Sequence, residues 1–322
     1  MTDLEALAGA MAHGEDLECN GGYSGFGTYS SKMTRMLDAA PMTDKGTFTE
    51  NSIDVSVHRL MTARIQTGDL DGNIKIKQDA SSRNSNTLRD QVRRPLVEQI
   101  NREGVVMLQN TDNILPLDLS ENGITKVAIV GSWQTNGSTG LYAQASGNQQ
   151  NIQAGIQAAF NAKKSGIQYT LITSNSLTDA NKTAIAAADV AIVVTGTSSG
   201  YSQEDHDRTS TALPDNQETL INNVAACNPN TIVIMETCGP MRVNRFQDNV
   251  KAILWSSFGG QWKNGFGDIM AGYCPSGKVT DTWYNEVNDT GESDIPAITD
   301  YDLLPSEGKN GRTYMYYNGE SA

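Results

Sequence analysis

From residue 124 onward the sequence alternates short β-branched runs with helix-forming segments, and this alternation narrows the fold more than any other feature. The runs are "KVAIVGSW", "QYTLITS", "ADVAIVVTG", "NTIVIMETCG" and "VKAILWSSFGG", most of them ending in Gly or Ser. Between them lie "NIQAGIQAAFNAKK", "TDANKTAIAAA", "NQETLINNVAACN" and "QWKNGFGDIMAG". Strand, loop, helix and strand in repetition predict a parallel sheet covered on both faces. In such sheets ligands bind beyond the carboxyl ends of the strands.

The first 123 residues have a different texture. "TDLEALAGAMAHG" reads as a helix with Thr2 or Asp3 as N-cap and Gly14 as its stop, and "EDLEC" as one short strand. "TENSIDVSVHRLMTARIQTG" places Ile53, Val57, Leu60 and Met61 on one apolar face, with Thr49 or Asn51 as cap and Gly68 at the end. The polar stretch "DLDGNIKIKQDASSRNSNTLRDQ" reads as a linker into a further helix, "RDQVRRPLVEQINREGVVMLQN". His13 and His58 fall on helical patterns and read as surface or packing residues.

Composition excludes two classes of partner. At −13 formal charge the chain repels polyanions, so nucleic acid is not an expected partner. No apolar run approaches the ~20 residues of a membrane span, so no membrane partner is expected either. Cys19, Cys227, Cys238 and Cys274 have neither CxxC nor metal-knuckle spacing and read as buried free thiols. The opening "MTDLEALAGAM" lacks a basic n-region and an h-region, so a periplasmic or extracellular location is expected only if a leader lies upstream.

The chemistry concentrates in "SGYSQEDHDRTSTALPDNQ", where Glu204, Asp205, His206, Asp207 and Arg208 follow the strand "ADVAIVVTG". Three readings compete. One is a solvated loop with Arg208 paired to Asp207. Another is a metal site of Glu, Asp and His, but adjacent residues cannot all face one ion and no remote cluster completes the shell. The third is a catalytic carboxyl kept protonated by its crowded anionic neighbours. "VAIVGSW" with "TNGSTGLYAQASGNQQN" lacks G-x-G-x-x-G and a following Lys-Ser or Lys-Thr, which argues against phosphate binding. G-x-S-x-G does not occur, which argues against a serine hydrolase.

Several segments, in order, resemble glycoside hydrolase family 3. "SQEDHDR" with "LPDNQETLI" is similar to the family's S-G-E-G-Y-D-R run and its L-P-x-N-Q helix start. "REGVVMLQNTDNILPL", "NPNTIVIMETCGP", "VKAILWSSFGGQWKNGFGDIMAGYCPSGKVTDTWY" and "ITDYDLLPSEGKNGRTYMYY" resemble successive family segments. "AHGEDLECNGGY" and "IDVSVHRLMTARIQTG" resemble the end of the family's barrel. The resemblance implies a six-stranded, mostly parallel α/β sandwich preceded by the last elements of a (β/α)8 barrel. Its parts would be the barrel end at 1–72, a linker and connecting helix at 73–123, and the sandwich with an irregular tail at 124–322.

It also implies a retaining β-glycosidase with neither cofactor nor metal, acting on oligosaccharides or on aryl and alkyl β-glycosides. A β-glucosidase is expected first and a β-xylosidase next. By position Glu204 matches the acid/base glutamate, and Asp207 and Arg208 match the D-R pair that holds the loop. Asp205 and His206 are candidate substrate contacts. Gln203, Asp205 and His206 stand where the family often has Gly, Gly and Tyr, which leaves substrate preference open.

The family's nucleophile is an aspartate on an earlier barrel strand. "MTD" imitates that motif, but Asp3 runs straight into a helix and reads as a cap. The partner expected for catalysis is therefore the missing barrel portion of the same enzyme. The rival reading is a non-catalytic sandwich that binds carbohydrate or a partner protein.

Overall fold

The computed structural model describes residues 2–17, 29–70, 91, 93–139, 150–198, 200–201, 208, 210–280 and 283. The chain divides into two compact units, Met1–Arg83 and Asn84–Ala322.

The first unit contains α1 (Asp3–Ala12), α2 (Tyr29–Ala39), a hairpin of β1 (Met42–Thr43) and β2 (Gly46–Thr47), and α3 (Glu50–Gln66). Thr2, not Asp3, caps α1. Its hydroxyl accepts from Glu5 N–H at 3.3 Å, and Glu5 Oε2 accepts from Thr2 N–H at 2.7 Å. This reciprocal box satisfies two donors that a helix start leaves free, and Asp3 becomes the first helical residue. The strand expected at "EDLEC" does not form over Glu15–Leu17, while Glu18 and Cys19 lie outside the described residues.

A small core of Ala8, Met11, Met36 and Phe48 holds this unit. The face predicted for α3 is only partly buried: Ile53 packs against the core, but Val57 is 48% and Met61 37% exposed. Among the described residues of this unit, β1 and β2 are the only strands, and each is two residues long.

The second unit is built on one six-stranded sheet. In chain order its elements are α4 (Arg94–Gly104), β3 (Val106–Asn110), β4 (Lys126–Val130), α5 (Trp133–Asn136), α6 (Ile152–Lys163), β5 (Gln168–Ile172), α7 (Asp179–Ala186), β6 (Val190–Gly196), α8 (Gln217–Cys227), β7 (Thr231–Glu236), β8 (Ala252–Ser256) and α9 (Gly265–Met270). The strand order is β3-β8-β7-β6-β4-β5, with β3 antiparallel to β8 and every other pairing parallel.

Strand alternation splits the core into two layers. Val127, Ile129, Ile192, Ile232, Ile234 and Leu254 face one side, where Ile156 and Phe160 of α6 and Phe266 and Ile269 of α9 pack on them. Ala128, Val130, Val193, Val233, Met235 and Ile253 face the other, against Ile185 of α7 and Leu220, Ile221 and Val224 of α8. Every residue of β6 and β7 is buried. That is why these strands read as unbroken apolar runs and not as polar alternation.

The helix predicted through "REGVVMLQN" stops early. It ends at Gly104, and Val106–Asn110 instead pair with β8 as the antiparallel edge strand. Val105 and Val106 are β-branched, so the strand keeps side-chain freedom that a helix would remove. The cysteine expectation also needs correction: Cys227, Cys238 and Cys274 are free, but the first two are half-buried and the third is exposed.

Candidate active site

The run that concentrates the chemistry begins where β6 ends, at the centre of the sheet. Glu204, Asp205, His206 and Asp207 lie outside the described residues, so the site is defined by how the run leaves the sheet and how it returns. Ser198, Gly200, Tyr201 and Arg208 are not helical.

The departure is tightly held. Gln217, the first residue of α8 and only 3% exposed, clamps Gly196 with both ends of its amide. Gly196 N–H donates to Gln217 Oε1 at 2.7 Å, and Gln217 Nε2 donates to Gly196 O at 2.9 Å. α8 starts here after two left-handed residues, Asp215 (φ 56°) and Asn216 (φ 59°), types that tolerate this conformation. One residue on, Thr197 N–H donates to Glu236 O at 3.1 Å. The Thr197 hydroxyl accepts from Cys238 N–H at 2.9 Å.

The return rests on the segment that follows β7. Arg208 Nη1 donates to Pro240 O at 2.9 Å and lies 2.9 Å from Met241 Sδ. The Tyr201 hydroxyl donates to Ala212 O at 3.0 Å, and Arg242 N–H donates to Thr211 O at 2.9 Å. Burial lifts the Tyr201 phenol above its ordinary pKa, with Arg208 opposing, so it stays a donor at neutral pH. The Arg242 side chain in turn grips the Glu218 carboxylate, with Nε and Nη2 each donating at 2.8 Å. Arg208 is thus a loop anchor through a backbone carbonyl; a pairing with Asp207 lies outside the described residues.

Beside this loop sits a charge pair that the strand pattern hid. Glu236, the last residue of β7, is 0% exposed, and Lys263 is 4% exposed. Glu236 Oε1 accepts from Lys263 Nζ and from Gly259 N–H at 3.1 Å. Its Oε2 accepts from Ser138 N–H at 2.8 Å and Trp133 Nε1 at 3.1 Å. Lys263 Nζ also donates to Ser138 O. Burial draws the Lys263 ammonium below the ordinary lysine pKa, although the Glu236 carboxylate opposes the shift.

Gly137 (φ 49°) covers the pair; a Cβ there would stand 3.4 Å from Glu236 Oε2 and 3.5 Å from Lys263 Cε. With every carboxylate lone-pair direction engaged and no surface open to solvent, Glu236 cannot exchange protons with a sugar. The signal for it was a charged residue closing the apolar run "TIVIM". A cavity of about 440 Å³ at the end of β8, lined by Val97, Ile100, Trp255, Phe258, Gly259 and Lys278 among others, presents no carboxylate from the described residues.

A mostly parallel sheet covered by helices on both faces, with an antiparallel edge strand, is an α/β sandwich. The chain belongs to glycosyl hydrolase family 3: the model of the Glycosyl hydrolase family 3 C-terminal domain matches residues 105–319. It is 27% identical over 98% of its length to a probable beta-D-xylosidase 6 of Arabidopsis thaliana. It is 29% identical, again over 98%, to an exo-1,4-beta-xylosidase of Aspergillus niger. The chain spans only 39% of each of these relatives.

Among solved structures, a GH3 exo-beta-xylosidase in complex with a xylobiose aziridine activity-based probe is 25% identical and aligns with 99% of this chain and 40% of its own, at a TM-score of 0.68. The beta-glucosidase D2-BGL from Chaetomella raphigera is 26% identical and aligns with 82% of this chain and 40% of its own, at 0.60.

Proposed function

We propose that this chain supplies the general acid/base half of a retaining β-glycosidase that removes terminal β-linked sugars. Terminal β-xylosides are the first substrate and β-glucosides the second, the reverse of the order that the motifs alone suggested. The β-xylosidase names of the curated relatives support that order. Glu204 donates the proton to the departing glycosidic oxygen and later takes one from the attacking water. Asp205 and Asp207 keep it protonated between turnovers, and Asp205 and His206 contact the sugar.

The observation that carries the reading is the anchoring of both ends of the Glu204 run, by Gln217 on Gly196 and by Arg208 on Pro240. Such clamps also satisfy buried backbone groups, but anchoring on both sides of the run suits a proton donor, which must be held within hydrogen-bonding reach of its substrate. The nucleophile comes from a barrel portion outside these 322 residues. That portion lies across a cleft, so that two carboxyl groups stand about 5–5.5 Å apart as retention requires. Domain boundaries at 72 and 123 follow the same reading, with the first unit closing the barrel.

The test uses this chain joined to its barrel portion. Glu204→Ala should slow glycosides with poor leaving groups by about 10²–10⁴-fold, the usual yield of general acid catalysis. Activated aryl glycosides, which leave without a proton, should be slowed far less. Azide should restore turnover of the activated substrates and yield a glycosyl azide. Equal slowing of both substrate types without azide rescue refutes the assignment. The 322-residue chain by itself should not hydrolyse a nitrophenyl β-xyloside; robust turnover would return Asp3 to candidacy as nucleophile.

A further inference from the structure

Glu236 and Lys263 are joined to three different loops at the carboxyl end of the sheet. Trp133 and Ser138 follow β4, Glu236 closes β7, and Gly259 and Lys263 follow β8. In the sheet β6 lies between β7 and β4. The chain leaving β6 at Thr197 and Ser198, toward Glu204 in the sequence, therefore emerges between two of the three tied segments. The link is physical as well as topological: Gly196 pairs with Glu236 across β6 and β7, and an added Cβ at Gly196 would lie 2.1 Å from Trp133 Nε1. The indole thus sits against the last residue of β6 while donating to Glu236.

Stability alone does not account for such a pair. Two buried charges lose hydration that their mutual attraction regains only in part, and apolar replacements of similar volume are often as stable or more so. What this pair supplies in addition is a constrained geometry, because Glu236 accepts from four donors on the two other segments and Lys263 donates to two acceptors at once. A displacement near 1 Å at a reacting group can cost on the order of 10²-fold in rate.

We infer that Glu236 and Lys263 are a positioning pair that fixes the platform from which the Glu204 loop departs, and so sets how well the proton reaches the leaving group. The inference rests on the acid/base reading of Glu204. Neither residue touches substrate; both act through Trp133, Ser138 and the ends of β6 and β7.

The experiment measures kcat/KM, which reports the glycosylation step, for a series of aryl β-xylosides of rising leaving-group pKa. The enzyme is this chain with its barrel portion, well below its thermal midpoint. The variants are Glu236→Gln/Lys263→Met, which removes both charges together, and Lys263→Arg, which keeps the charge but changes its reach. Both should lose about 10-fold or more on the poorest leaving groups and less than about 3-fold on the most activated, a steeper dependence than that of the parent. If the double variant does not fold, Lys263→Arg alone carries the test.

A merely structural role would lower the thermal midpoint and leave the dependence on leaving group unchanged, and that result overturns the inference. Glu204→Ala in the same series separates the two readings. A steep response from Glu204→Ala with a flat one from the pair variants refutes the positioning role alone. A flat response from Glu204→Ala refutes the acid/base reading and this inference with it.

Discussion

Gly196→Ala is the smallest change that strikes the point where β6 becomes the candidate catalytic loop. A Cβ built there lies 2.1, 2.3 and 2.4 Å from Nε1, Cε2 and Cδ1 of Trp133. Ordinary contact between such atoms is about 3.5–4.0 Å, so the indole must retreat by more than an ångström. It has little freedom to do so, since its N–H is committed to Glu236 Oε2 at 3.1 Å. Overpacking of a close-packed interior costs about 1–3 kcal/mol, and a lost hydrogen bond to a charged acceptor about 1.5–3 kcal/mol. The sum, about 2.5–6 kcal/mol, is a large part of a domain's net stability.

Urea denaturation followed by far-ultraviolet circular dichroism measures it. Trp133→Ala supplies the control, because with the indole gone the new methyl has nothing to strike. The double variant should then be more stable than the sum of the two single losses by about the whole Gly196→Ala loss, about 2.5–6 kcal/mol, since residues in contact do not add. A Gly196→Ala loss below about 1 kcal/mol, or additivity within about 0.5 kcal/mol, refutes the reasoning.

Two further expectations concern stability. Gln217→Ala strips both hydrogen bonds from the buried backbone of Gly196. At about 1–3 kcal/mol for each of the two groups left unsatisfied, it should cost about 2–6 kcal/mol in the same titration; an unchanged midpoint would count against the clamp. Asp189, just before β6, accepts from Thr125 N–H at 2.7 Å and Lys126 N–H at 2.8 Å, and these bonds hold its pKa below the ordinary carboxylate value. A lowered folded pKa means that the unfolded chain binds the proton more readily, so this stabilisation is full above the ordinary value and fades as pH falls through the lowered one. Asp189→Asn should therefore destabilise near neutrality by under about 1 kcal/mol, since the exposed site is screened. The deficit against the parent should shrink on acidification below about pH 4, and a deficit that stays constant from pH 7 to pH 3 would exclude the linkage.

The central strands were legible from residue types because both of their faces are buried: "VAIVVTG" and "TIVIME" carry no polar break for a helix pattern to use. The end of β6 at Gly196, after which the Glu204 run follows in the sequence, was legible for the same reason. β3 was not: Gly104 and the β-branched Val105 and Val106 mark the end of the helix, but the partner that makes the next residues an edge strand is β8, far along the chain. The inward face of α3 was misread in part, because local periodicity names an apolar stripe but not what covers it.

The anchors of the candidate site lay furthest from view. Gln217 reaches Gly196 across 21 positions, Lys263 reaches Glu236 across 27, and Trp133 reaches Glu236 across 103. A run of β-branched residues chooses its own backbone, since steric preference acts within a few bonds. A hydrogen-bonding side chain chooses nothing until the crossing connections of a parallel sheet bring distant strand ends side by side, and that arrangement belongs to the folded chain.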